Sequence, residues 1–144
     1  MSVKQVSVWS VLWLLTVAGV PALANAPLAD AAEKRNQAQI QRLLEQAVDV
    51  NAAQVDGMTA LHWTTLHDDL ETARLLVEAG ADVTVTNRYA VTPLTLACTN
   101  GNGPLVELLL EAGADVNQAN KQGNTPLYWA AEKGDTECLD KLIQ

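Results

Sequence analysis

The sequence contains no Phe, and aromatic residues make up only 4% of its 144 positions, so any core must be assembled from Leu, Val and Ala. Such small side chains suit short helices packed closely together. Serine occurs only at Ser2, Ser7 and Ser10. The remainder therefore lacks the nucleophile of a serine hydrolase, and no other nucleophile–base–acid set is visible. The two His and two Cys (His62, His67, Cys98 and Cys138) do not cluster at ligand spacing, which argues against a zinc site. Basic residues are scarce as well: nine Lys and Arg face 17 Asp and Glu, a net charge of −8. A surface of that sign repels nucleic acid and anionic lipid, so neither is expected as a partner.

What is present begins with an unusual N-terminus. Lys4 supplies one positive charge, and an apolar run from Val6 to Val20 follows, ended by Pro21. Ala22-Leu23-Ala24 then offers small residues at the spacing a signal peptidase reads. A cut after Ala24 is expected, because Pro27 disfavours the alternative after Ala26. The competing reading is an uncleaved anchor, but the run is short of the ~20 apolar residues a bilayer requires. Residues 1–24 are thus read as a signal peptide, with a periplasmic or secreted destination and only transient membrane contact. In an oxidising compartment Cys98 and Cys138 have the option of pairing; both fall within expected helices, where small buried thiols are the simpler reading.

The dominant feature is self-similarity at a period of 33 residues. Thr59, Thr92 and Thr125 keep that step, as do Leu28, Leu61, Leu94 and Leu127. Leu43, Leu76, Leu109 and Leu142 repeat it, and so do the pairs Asp49-Val50, Asp82-Val83 and Asp115-Val116. Such a period marks a solenoid built from one supersecondary unit. Within each unit the Thr can cap a first helix, followed by Pro93 or Pro126 at the first turn, where a missing N–H is harmless. Asn36, Asp69, Asn102 and Asp135 recur as caps of a second helix, and Gly80 and Gly113 stop it in a left-handed conformation. Helices of this length are unstable alone and gain stability by stacking. The expected fold is all-α, an α-solenoid with repeats at about 25–54, 55–87, 88–120 and 121–144, the last incomplete.

Thr92-Pro93-Leu94-Thr95-Leu96-Ala97 and Thr125-Pro126-Leu127-Tyr128-Trp129-Ala130 resemble the opening motif of the ankyrin repeat, and Thr59-Ala60-Leu61-His62 is similar to it. Glu78-Ala79-Gly80-Ala81-Asp82-Val83 and Glu111-Ala112-Gly113-Ala114-Asp115-Val116-Asn117 resemble its closing motif. The resemblance places His62 in a hydrogen-bond network between repeats, near Thr59. Several positions depart from the family pattern. Ala26 and Ala47 replace the Thr and Gly of repeat one, whose Asp30, Glu33, Lys34 and Arg35 suit a terminal cap. Ala90 replaces a turn Gly, at a cost of about 1 kcal/mol if φ is positive there. Thr64 and Thr65 stand where the family has paired Ala, so looser packing is expected in repeat two. No closing motif follows Leu142-Ile143-Gln144, and the chain is read as a piece of a longer array, with a last face that docks on something as the alternative.

Two further constellations have bland explanations. In His67-Asp68-Asp69, adjacent helical residues cannot converge on one ion, and Asp69 is already a cap. Asn100-Gly101-Asn102-Gly103-Pro104 lacks the Lys-Ser/Thr ending of a phosphate loop and reads as a turn between helices. Trp63 and Trp129 share a repeat column with Leu96, which suggests core between repeats.

The resemblance implies binding through the concave surface formed by turn tips and first helices. Mapped onto this chain, that surface comprises Val55, Asp56, Met58, Leu66 and His67 in repeat two. Repeat three contributes Arg88, Tyr89, Val91, Thr99 and Asn100, and repeat four Lys121, Gln122, Asn124, Glu132 and Lys133. These columns change character from repeat to repeat while the core columns hardly vary. The expectation is an exported, non-enzymatic module that binds another protein and needs no cofactor, metal or small-molecule ligand. The alternative is a non-catalytic repeat segment of a larger periplasmic enzyme or sensor.

Overall fold

The computed structural model describes residues 25–144; the expected signal peptide lies outside the described residues. Among these, eight helices alternate with turns and no strand is present: α1 Pro27–Glu33, α2 Gln37–Glu45, α3 Ala60–Leu66, α4 Leu70–Glu78, α5 Pro93–Asn100, α6 Gly103–Glu111, α7 Pro126–Lys133 and α8 Thr136–Ile143. Each has seven to nine residues. That is well under the ~12–15 residues an isolated helix needs, so packing rather than propensity holds them.

The capping columns behave as expected. Thr59, Thr92 and Thr125 accept from the backbone N–H of His62, Thr95 and Tyr128, while Ala26 leaves α1 without a side-chain cap. Asn36, Asp69, Asn102 and Asp135 cap the second helices. Positive φ also recurs at the repeat period. After the second helices it appears at Ala47, Gly80 and Gly113 (52°, 93° and 95°), and in the turns at Gly57, Ala90 and Gly123 (84°, 58° and 83°). Ala47 and Ala90 therefore hold left-handed backbone without the freedom of Gly, at a cost of about 1 kcal/mol each. Arg35 and Asp68 do the same after the first helices (56° and 57°), where later repeats have Gly101 and Gly134.

The first helices form one layer, α1 on α3 on α5 on α7, and each packs against its own second helix. In the second layer α4 meets α6 and α6 meets α8. Leu28, Leu61 and Leu94 are at most 1% exposed between units. Leu127, the same column in the last unit, is 42% exposed because no described residue stacks on it. Thr64 and Thr65 do not loosen repeat two: both are buried, and their hydroxyls donate to Leu61 O at 3.1 and 2.8 Å. Cys98 and Cys138 are free and buried in adjacent repeats, and burial pushes each thiol up to about 12.

Candidate binding surface

Three turn tips project from the stack, at residues 54–58, 87–91 and 120–124. Each is closed by two backbone bonds: Gln54 N to Met58 O (2.9 Å) and Gly57 N to Gln54 O (2.8 Å), Asn87 N to Val91 O (3.1 Å) and Ala90 N to Asn87 O (2.9 Å), and Asn120 N to Asn124 O (3.0 Å) and Gly123 N to Asn120 O (2.9 Å). Neighbouring tips are tied together as well. Arg88 N donates to Asp56 O at 2.8 Å, and Lys121 N to Tyr89 O at 3.1 Å. A Cβ on Gly57 would meet Asn87 Cα at 2.9 Å, so this tip has no room for a side chain there.

The side chains that secure the tips differ. Asn87 Oδ1 accepts from Tyr89 N and Val91 N, and Asn120 Oδ1 from Gln122 N and Asn124 N. Gln54 occupies the same column with one more methylene, and Asp56 Oδ1 takes over by accepting from Met58 N. The Gln54 side chain instead crosses to other elements. Its Oε1 accepts from Trp63 Nε1 at 2.7 Å, and its Nε2 donates to Asp30 Oδ1 (2.7 Å) and Glu33 Oε2 (3.0 Å). Asp30 and Glu33 lie one turn apart on α1. A cleft of about 450 Å³ is lined by Asp30, Glu33, Gln54, Val55, Asp56, Trp63 and Arg88.

Among the residues assigned to the surface from the sequence, Val55, Leu66, Arg88, Tyr89, Asn100, Lys121, Gln122, Glu132 and Lys133 are exposed. Val55 reaches 87% and Tyr89 55%. The Arg88 guanidinium lies 5.5 Å from the centre of the Tyr89 ring. Asp56, His67, Val91, Thr99 and Asn124 are half-buried. Met58 is a correction: it is 7% exposed, because the tip turns its side chain inward, where the sulfur accepts a bond from Asn87 Nδ2. His67 and Asn100 have structural duties. His67 Nε2 lies 3.3 Å from Glu33 O and its ring stacks on Trp63, while Asn100 Nδ2 donates to Leu66 O, Thr65 O and Asp68 Oδ1. Each braces the exposed carbonyls at the end of the preceding first helix.

The binding surface assigned from the sequence omitted Asp30, Glu33, Gln54 and Trp63, which line the cleft. The available signal was the Gln54 column, where Asn87 and Asn120 cap their own tips and Gln54 is too long for that role.

His62 behaves as the motif implies. Its Nδ1 accepts from Thr59 N at 3.2 Å, which leaves the proton on Nε2 to donate to Val91 O of the next tip at 3.0 Å. Burial holds its pKa below the ordinary value, opposed by the Val91 carbonyl and the Asp56 charge. It is fully buried with both ring nitrogens hydrogen-bonded, so it acts as a structural bridge.

Paired short helices in two layers, joined by tied tips at a 33-residue period, define a helical repeat solenoid. A family model for ankyrin repeats (3 copies) matches residues 3–87 and 85–144. The first match starts inside the segment read as a signal peptide. The Notch-regulated ankyrin repeat-containing proteins of Homo sapiens and Xenopus tropicalis are each 34% identical over 77 residues, covering 51% of this chain and 68% of theirs. The tyrosine-protein kinase HTK16 of Hydra vulgaris is 32% identical over 71 residues, 47% of this chain and 9% of that protein. The chain belongs to the ankyrin-repeat family. Such repeats generally mediate protein–protein interaction and are generally non-catalytic.

Proposed function

We propose that the chain is an exported module that holds a partner protein against its tips and the exposed side of its first helices. One observation supports this most strongly. Equivalent positions on tips closed by the same backbone bonds carry unrelated exposed side chains: Val55, Arg88 and Lys121. A preformed frame of this kind loses little ordering entropy on association. Tyr89 and Arg88, an exposed aromatic beside a guanidinium, have the composition of an interface centre.

The test is co-purification with the mature chain from its source cells, compared across two variants. Arg88→Ala with Tyr89→Ala should abolish capture of a specific partner. Arg42→Ala with Gln46→Ala, on the outer layer, should leave it intact. Equal capture by both would sink the reading. Export is tested separately by expressing the full chain and sequencing the N-terminus of the product. A product beginning at Asn25 in the exported fraction supports cleavage; one retaining Met1 or Ser2 in the cytosol refutes it.

A further inference from the structure

We propose that the cleft between α1 and the first two tips receives an arginine side chain of the partner; this rests on the interface reading above and adds its chemistry. The cleft combines three features. Its size, about 450 Å³, is ample for one long side chain. The half-buried Trp63 indole and the largely exposed Val55 supply an apolar wall on which an aliphatic stem can lie. Asp30, Glu33 and Asp56 supply negative charge, and none of the three forms an ion pair with a described residue. The sole ion pair among the described residues is Lys141 with Glu107, far along the stack. Arg35, close by in sequence, turns its Nη2 to His67 O instead.

The carboxylates are also held in place. Gln54 Nε2 takes Asp30 Oδ1 and Glu33 Oε2, leaving Asp30 Oδ2 and Glu33 Oε1 without a hydrogen bond from any described residue. Two fixed acceptor oxygens beside an indole match a planar guanidinium, which donates through a rigid fork and stacks on aromatic faces. An ammonium fits the charge but not the plane. Arg88 also lines the cleft, and it forms no ion pair with Asp30, Glu33 or Asp56.

The same column supplies an internal control. Trp129 is the repeat-four counterpart of Trp63, but its Nε1 is buried without a partner, and Asn120, in the column of Gln54, is committed to its own tip.

The experiment follows the indole N–H resonances of the mature chain by NMR while N-acetyl-arginine amide is added. The expected result is a saturable shift of the Trp63 signal and none of Trp129, with the neutral citrulline analogue inert and the lysine analogue weaker. Asp30→Asn with Glu33→Gln keeps acceptors for Gln54 but removes charge, and should weaken arginine binding at least about tenfold. An equal response to citrulline, an equal shift of Trp129, or undiminished binding by the folded double variant overturns the proposal. If the double variant loses no partner in the co-purification while Arg88→Ala with Tyr89→Ala does, the cleft assignment fails and the interface stands.

Discussion

Tip 54–58 and tip 120–124 share a backbone and differ in what holds it. In the later tip, Asn120 accepts two N–H groups and the tip is closed on itself. In the earlier tip, Gln54 leaves that task to Asp56 and bridges Trp63 to α1. One methylene thus converts a side chain that closes its own tip into a strut across two repeats, and that strut lines the cleft. The comparison teaches that a repeat frame tolerates a change of purpose where a second side chain covers the lost bond.

The largest expected effect comes from crowding the two tips. Gly57→Ala meets Asn87 Cα at 2.9 Å with φ at 84°, whereas Gly123→Ala has φ at 83° and nothing within 4 Å. Urea denaturation should show a loss of about 2–3 kcal/mol for the first and about 1 kcal/mol for the second. Equal losses would mean the tips are not packed against each other as described. Next in size, Asn120→Ala strands two backbone N–H groups and should cost about 2 kcal/mol by the same measurement. Gln54→Ala should cost about 1 kcal/mol, because two of its three partners are exposed carboxylates and the third is the half-buried Trp63 N–H.

Smaller differences separate the two indoles. Trp63→Phe removes a donor that Gln54 uses and should cost about 1 kcal/mol, while Trp129→Phe removes an unpaired buried N–H and should be neutral or stabilising. A comparable gain, about 1 kcal/mol, is expected for Ala90→Gly, which restores at the middle tip the residue its neighbours carry.

The subtlest prediction concerns acidity. The folded state holds His62 below its ordinary pKa, so the unfolded chain takes up a proton first as pH falls below about 6.5. Stability from the neutral bridge is complete above that value and declines toward the lowered folded pKa. Melting temperatures between pH 7 and 5.5 should fall more steeply for the native chain than for His62→Thr, which imports the residue found at Thr95. Parallel slopes would remove His62 as the cause.

Much of this architecture is legible in the sequence because a period is a geometric statement. Thr59, Thr92 and Thr125 announce caps, and Gly80 and Gly113 announce stops, because local backbone chemistry demands those residues. The site is less legible. A variable column signals release from the core, but not where the side chain goes. Met58 varies and yet turns inward, and Asn100 varies because it reaches the end of the preceding helix about one repeat back. Trp63 packs against the core as its column partner Leu96 suggested, but the column does not show that its N–H donates to Gln54. Such outcomes depend on neighbours set by stacking, which no single repeat contains.

The bonds from Arg88 to Asp56 and from Lys121 to Tyr89 have a consequence for how this chain can change length. Each joins one tip to its successor at a fixed offset, so removing or duplicating a whole unit simply re-forms the same links among new neighbours. An insertion of any other length within a unit shifts donors past acceptors along the ladder. Gene variation that respects the 33-residue unit therefore lengthens or shortens the array, while other changes in length must be absorbed in turns outside it.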